Sequence, residues 1–304
     1  MIKKLSLSIC LFFFLNSGFA LQKIYIFHIN GVNTTQDEAS RNRFALDRAL
    51  PHPEGFNIQK VDLLYNKEDG ASFCSLCSQL RNILEQKKFK NINLDDYVIA
   101  YIRDKKLYVK PNTSEYIALK NSIKDKYLAD PAFLGNNFND LLNQMHQKVT
   151  SKSTNPTYWD ESYPRGARPK PFILFIPHSQ GNLYANNLYE ELIAKEGYQQ
   201  TNLSIYGIAS PADKNLGDYI SKTIYGNPGY LTSSNDGVIN ALRILAAVPP
   251  QQTIAPANII IPSNVSLDPS GHGLIPTYLS DPGANQQIVN EVSNILCYFS
   301  RNNL

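Results

Sequence analysis

One stretch constrains the fold more than any other. Pro171-Phe172-Ile173-Leu174-Phe175-Ile176-Pro177 is an unbroken apolar run; His178-Ser179-Gln180-Gly181-Asn182 follows at once, then Leu183-Tyr184-Ala185-Asn186-Asn187-Leu188-Tyr189. An apolar run without polar alternation suits a strand buried on both faces, the habit of parallel sheets covered by helices. The residues after it read as a tight corner and a helix. A serine at the tip of such a corner is held clear of the strand, and the first N–H groups of the helix are aimed at whatever it attacks. The same residues also permit an ordinary strand–turn–helix with a buried serine.

The rest of the chain alternates in the same way. Strands are expected at Lys23–Phe27, Phe56–Tyr65, Leu203–Ile208 and Tyr230–Thr232, with an apolar stub at Ile259–Ile261. Helices are expected at Gln36–Leu50, Ser78–Lys88, from the elbow to Glu196-Gly197, at Asp213–Thr223, Val238–Val248 and Ala284–Ser300. This order predicts the α/β class: a mainly parallel sheet flanked by helices on both faces. Between the second strand and the elbow lies an insertion, roughly 66–168, of about a hundred residues, more than a crossover requires. Its pattern is largely helical, which suits a cap; alternatively part of it supplies a further core strand at Tyr97–Ile102.

The first twenty residues have a separate logic. Met1-Ile2-Lys3-Lys4, an apolar run from Leu5 to Leu15 and the small-residue exit Ser17-Gly18-Phe19-Ala20 describe a secretory signal peptide over 1–20, cleaved after Ala20. The run is too short to span a bilayer comfortably, so no integral membrane anchor is expected after cleavage, and the protein should be periplasmic or secreted. Ile9 before Cys10, with apolar residues continuing after it, argues against a lipid-attachment site. Losing Lys3 and Lys4 takes the formal charge from +3 to +1. So neutral a chain has no electrostatic case for nucleic acid or an anionic membrane as partner.

Cys74, Cys77 and Cys297 remain after export, where disulfides persist. Cys74 and Cys77 can close a small loop and leave Cys297 free, or Cys297 can pair with either of them.

A nucleophilic serine needs a base, and a carboxylate to orient the base. Of the histidines, His28 ends the first strand, His52 sits between prolines, His146 falls on a polar helix, and His178, beside the serine, is placed to pack or buttress. His272, in Asp268-Pro269-Ser270-Gly271-His272-Gly273, lies on a Gly/Pro loop from which an imidazole can reach across the mouth of the sheet. For the acid, Asp236 follows the short strand at 230–232 and precedes a helix, which puts a carboxylate at a strand's C-terminal edge. It also suits a helix N-cap. Asp213 is the runner-up.

The strand, corner and helix with His-Ser-Gln-Gly at the tip resemble the nucleophile elbow of the α/β-hydrolase superfamily, in particular its lipase and esterase branches. Gly181 occupies the second small position of the usual Gly-x-Ser-x-Gly pattern, and Pro177 replaces the first. The resemblance implies the α/β-hydrolase fold and a Ser179–His272–Asp236 triad, without metal or organic cofactor. It also implies an oxyanion hole built from the backbone N–H groups of Gln180 and of Val32, the latter supported by Asn30-Gly31 in the place of the lipases' His-Gly. The expected activity is hydrolysis of a carboxylic ester, lipid-like given export and 18 tyrosines. A thioesterase or acyltransferase can use the same groups, and a non-catalytic binding protein can use the same fold.

Overall fold

The computed structural model describes residues 23–31, 34–51, 57–67, 98, 107–127, 133–152, 170–246, 254–262 and 267–302. In chain order these form β1 (Ile24–Ile29), α1 (Gln36–Ala49), β2 (Asp62–Leu64), α2 (Ser114–Tyr127), α3 (Phe133–Lys152), β3 (Phe172–Pro177) and α4 (Gly181–Glu196). There follow β4 (Leu203–Ile205), β5 (Gly207–Ile208), β6 (Tyr230–Leu231), α5 (Gly237–Ala246) and α6 (Pro282–Arg301). Two wide π-helical turns, Ile220–Ile224 and Leu274–Leu279, complete the described elements.

The sheet is parallel, in the order β2-β1-β3-β4. β5 and β6 form a second parallel pair, joined to the first by a bridge between His178 and Ile208 and by the Tyr206 N–H donating to the Phe175 carbonyl at 2.9 Å. β1 and β3 are buried at every position, because each has a strand on both sides and helices on both faces. Their alternate residues divide the core. Ile24, Ile26, Leu174 and Ile176 face Leu46 of α1 and Ile288, Val292 and Phe299 of α6. Tyr25, Phe27, Ile173 and Phe175 face Leu141, Met145 and Val149 of α3 and Leu188 and Leu192 of α4. The α/β class expected from the sequence is therefore the observed one, in three layers.

The chain leaves β1 for β2 on one side and leaves β3 for β4 on the other. The carboxyl ends of β1 and β3 thus flank the switch point where open α/β sheets place their ligands.

Several boundaries differ from the sequence expectation. The ten-residue second strand shrinks to Asp62–Leu64 with an isolated Ile58–Ile24 bridge, because the Val61 N–H is taken by the Asp47 carboxylate at 2.7 Å rather than by a neighbouring strand. Leu203–Ile208 is two strands interrupted at Tyr206. The helix expected over 213–223 is only the turn Ile220–Ile224. Residues ahead of it follow β4 instead: Asn215 Nδ2 donates to the Ile205 carbonyl at 2.9 Å, and the Gly217 carbonyl accepts from the Ile205 N–H at 3.0 Å.

Within the insertion, α2 and α3 are helical. The buried face of α3 lies against the sheet, so this part forms a layer of the fold and not a roof over the site. Val98, the one described residue of Tyr97–Ile102, is buried in helical backbone. Cys297 on α6 is disulfide-bonded, which overturns the arrangement that leaves it free. Cys74, Cys77, His52, Val32, the 1–20 segment and the helix expected at 78–88 lie outside the described residues. Among the described residues no helix is long and apolar enough to cross a membrane.

Candidate active site

Ser179 sits at the tip of β3 with φ +55°, a left-handed conformation that costs a side-chain-bearing residue on the order of 1–2 kcal/mol. The surroundings impose it. The His178 N–H donates to the Ile29 carbonyl and the Ser179 N–H to the Ile208 carbonyl, both at 3.0 Å, so the corner is stitched to β1 on one side and β5 on the other. Asn182, one turn into α4, donates through Nδ2 to the Ser179 carbonyl at 2.8 Å and the Ile208 carbonyl at 3.0 Å, locking the underside. Gly181 is required by close approach, since a Cβ there would collide with the Ile29 carbonyl oxygen.

The two partners come from loops at the same edge of the sheet. Asp236 follows β6 and opens α5; His272 lies on the loop ahead of the Leu274–Leu279 turn. Ser179 Oγ lies 2.8 Å from His272 Nε2, and His272 Nδ1 lies 2.9 Å and 3.0 Å from the two carboxylate oxygens of Asp236. With a carboxylate as acceptor, the Nδ1 proton is fixed there and bare Nε2 receives the serine O–H. Ser179 is 1% exposed and Asp236 is fully buried.

Asp236 performs two jobs. Its Oδ1 accepts the Ile239 N–H at 2.9 Å, so the helix-capping role and the base-orienting role coexist in one carboxylate. Burial pushes its pKa up; the charge of His272 and hydrogen bonds from His272, the Ile239 N–H and the Tyr278 hydroxyl outweigh that and hold it below the ordinary value. Asp213, the alternative acid, is exposed on the loop after β5 and is not the partner of His272.

Side chains that the sequence did not single out for this role hold the arrangement. Tyr278 donates its hydroxyl to Asp236 Oδ2 at 2.9 Å. Asp268 accepts from Ser270 Oγ at 2.6 Å, the Gly273 N–H at 2.6 Å and Thr277 Oγ1 at 2.7 Å, gathering the His272 loop around one carboxylate. Burial opposes its ionisation, but these donors win and lower its pKa to about 2.

His178 buttresses that loop: its Nε2–H donates to the His272 carbonyl at 2.8 Å. Burial, then the neighbouring His272, lowers the His178 pKa to about 3, so the ring is neutral. His28, buried beneath, donates through Nδ1 to the Ile176 carbonyl at 2.8 Å and is lowered to about 4 by burial. His146 pairs with Glu196 at 2.8 Å, joining α3 to α4 away from the serine.

On the other side of the serine, β1 ends against it. A Cβ on Gly31 would come within 2.6 Å of Ser179 Cβ and 3.1 Å of Oγ, so only glycine fits. Asn30 fixes this approach through Nδ2, which donates to the Gly31 carbonyl at 3.0 Å and the Asn66 carbonyl at 3.1 Å. Asn66, after β2, returns its N–H to Asn30 Oδ1 at 2.8 Å and reaches Gln180 Oε1 through Nδ2 at 3.3 Å. Gln180 stands at the head of α4 without a side-chain cap on the helix, leaving that end's positive pole toward the serine. The strand ends of β1, β2 and β3 are thereby tied into one polar frame. Asn66 carried no sequence signal beyond its place after an apolar segment.

What the arrangement can do follows from its chemistry: a buried hydroxyl on one nitrogen of an imidazole, with a carboxylate of lowered pKa on the other, can generate a nucleophilic alkoxide and return the proton. No protein-family model matches the chain, and neither a curated protein nor a solved structure is found to match it.

Proposed function

We propose that this chain is an exported serine hydrolase with an α/β-hydrolase fold, cleaving carboxylic esters of lipid-like character through an acyl-enzyme. One observation carries the reading: the unbroken sequence of contacts from Ser179 Oγ to His272 Nε2 and from His272 Nδ1 to Asp236, built on a serine held at positive φ. An ordinary buried serine has no need of the strained backbone, the fixed imidazole or the charged partner. The export segment and the aromatic composition support an apolar or aromatic ester over a cytosolic metabolite.

In the proposed reaction Ser179 Oγ forms a bond to the carbonyl carbon as its proton passes to His272 Nε2. The oxygen of that carbonyl takes the negative charge beside the head of α4, where the Gln180 N–H is the proposed donor; the second donor implied by the resemblance, Val32, lies outside the described residues. Collapse breaks the bond to the alcohol, which leaves with the proton from His272. Water then gives its proton to His272, attacks the acyl carbon and releases the acid as the proton returns to Ser179. Asp236 stays ionised throughout and stabilises the imidazolium. Oxyanion donors of this kind are worth roughly 10²–10³ in rate each.

A fluorophosphonate probe tests the proposal. The intact protein should be labelled at Ser179 and should turn over chromogenic esters; Ser179→Ala should lose both while unfolding at about the same temperature. A folded wild-type protein that neither labels nor cleaves any ester in a panel of chain lengths overturns it.

A further inference from the structure

We propose that Tyr278 is a positioning residue of this site, the member of the hydrogen-bond chain that sets how strongly Asp236 holds the proton of His272. The inference rests on the hydrolase reading and deepens it.

The geometry is a relay longer than three residues. The Ser233 N–H donates to the Tyr278 hydroxyl oxygen at 3.0 Å, and that hydroxyl donates to Asp236 Oδ2 at 2.9 Å. Oδ2 is also the carboxylate oxygen closer to His272 Nδ1, at 2.9 Å. Tyrosine and histidine therefore compete for the electron density of one atom. A donor on a carboxylate spreads its charge and weakens its pull on every other donor; a backbone N–H feeding the phenol makes that phenol a better donor. The ring is fully buried and its hydroxyl has no water to exchange with. Burial, then the Asp236 charge, raises the Tyr278 pKa, so the group remains a phenol and the proton lies on its own oxygen.

The hydroxyl has one structural duty, accepting the buried Ser233 N–H, which does not by itself call for a donor on Asp236. The Ile239 N–H already caps on Oδ1, and the Tyr278 ring fills its place in the core through apolar contacts. A phenylalanine would keep the packing and drop the hydrogen bonds.

The other charged or titratable groups facing this pair are accounted for. His178 lies 4.9 Å from His272 ring to ring and is neutral; its neighbour His28 is neutral as well. Arg243 of α5 acts on Asp236 and Tyr278 by its charge, but spends its guanidinium on Asn240 and the Ala255 carbonyl. Asp268 is committed to its own loop.

The test is the pH profile of kcat/KM on a chromogenic short-chain ester, whose acid limb reports the free enzyme's base. In Tyr278→Phe the carboxylate binds the imidazole proton more tightly, and the acid limb should move up by roughly half a pH unit to one unit. Replacing Tyr278 by 3-fluorotyrosine, a stronger donor of nearly the same size, should move it down. That opposite shift is one a purely structural role does not produce, and it serves if the phenylalanine variant fails to fold. In an Asp236→Asn background Tyr278→Phe should leave the limb where it is. An acid limb unchanged in the fluorotyrosine protein, with wild-type labelling by fluorophosphonate, overturns this proposal and leaves the hydrolase reading standing. A wild-type protein that does not label takes both down.

Discussion

His178 and His272, ninety-four residues apart in hydrogen-bonding terms, are joined by a bond that takes no part in proton transfer: the Nε2–H of one imidazole donates to the backbone carbonyl of the other at 2.8 Å. Because His178 immediately precedes the nucleophile on the stitched corner, this bond ties the loop of the base to the backbone of the serine. The contact between Ser179 Oγ and His272 Nε2 is then a consequence of a preset frame rather than the thing that makes the frame. Preorganisation of this kind lowers the cost of reaching a reactive geometry, since small displacements of a catalytic group cost large factors in rate.

His178→Phe should therefore keep the ring packing and lose the tether. The expected result is a fall in kcat of roughly ten- to a hundredfold with little change in KM. Steady-state kinetics on one ester, with the fluorophosphonate labelling rate as a second readout, decide it; an unchanged kcat means the loop holds itself.

The frame on the opposite side predicts a different signature. Asn66 touches both Asn30, which fixes the end of β1, and Gln180 at the head of α4. Asn66→Ala should loosen the end of β1 relative to Gln180, the donor proposed for the oxyanion. Affinity for a boronic acid that mimics the tetrahedral intermediate should drop by roughly tenfold, while affinity for a ground-state ketone analogue stays within about twofold. Equal losses for both ligands would mean that Asn66 shapes the pocket in general and not the oxyanion side.

How much of this could be read from the sequence depends on range. The elbow was legible because strand, corner and helix are local, and the apolar run of β3 needs no partner to declare itself. Asp236 and His272 were legible because each stands after a chain element whose end falls at one edge of a parallel sheet, so topology brings them together. Tyr278, Asn66 and the partner of the buttressing His178 were not, because each acts through one to three atoms across 30 residues or more, and no periodicity encodes that. Asp268 stands four residues before His272 in sequence, and that proximity lets it gather the loop backbone. The place of α3, the described part of the insertion that packs on the sheet, was not legible for another reason. A polar, helical stretch between two strands says nothing of whether its apolar face will cover the sheet, as Leu141, Met145 and Val149 do, or the site.

The two buried neutral histidines make the fold sensitive to acid. Folded-state pKa values of about 4 for His28 and about 3 for His178 lie below the ordinary 6.5, so between these limits the unfolded chain binds protons that the folded one does not. Stability is then fully present above about pH 6.5 and falls as pH drops toward 4, by up to ~1.4 kcal/mol per pH unit for each histidine. Urea midpoints measured from pH 7.5 to 4.5 should decline. His28→Leu, whatever it does to stability at neutral pH, should show a shallower decline by about one histidine's share. A wild-type midpoint that stays level across this range contradicts the neutral assignment of both rings.

The backbone of Ser179 stores a cost that the hydrogen bonds around the corner impose and that the proposed reaction would give a use. At φ +55° glycine is unstrained whereas serine and alanine are not. Ser179→Ala and Ser179→Gly both remove the hydroxyl and its bond to His272, so both should be inactive, yet they differ in what they leave behind. The alanine protein keeps the strained corner; the glycine protein relaxes it and recovers about 0.5–1 kcal/mol after the extra chain entropy of glycine is charged against the gain. Thermal unfolding of the pair should place glycine above alanine by a few degrees at most, in view of the chain's size. Were alanine the more stable of the two, the positive φ would be no burden on the fold, and the reading of the corner as strain maintained for catalysis would lose its thermodynamic support.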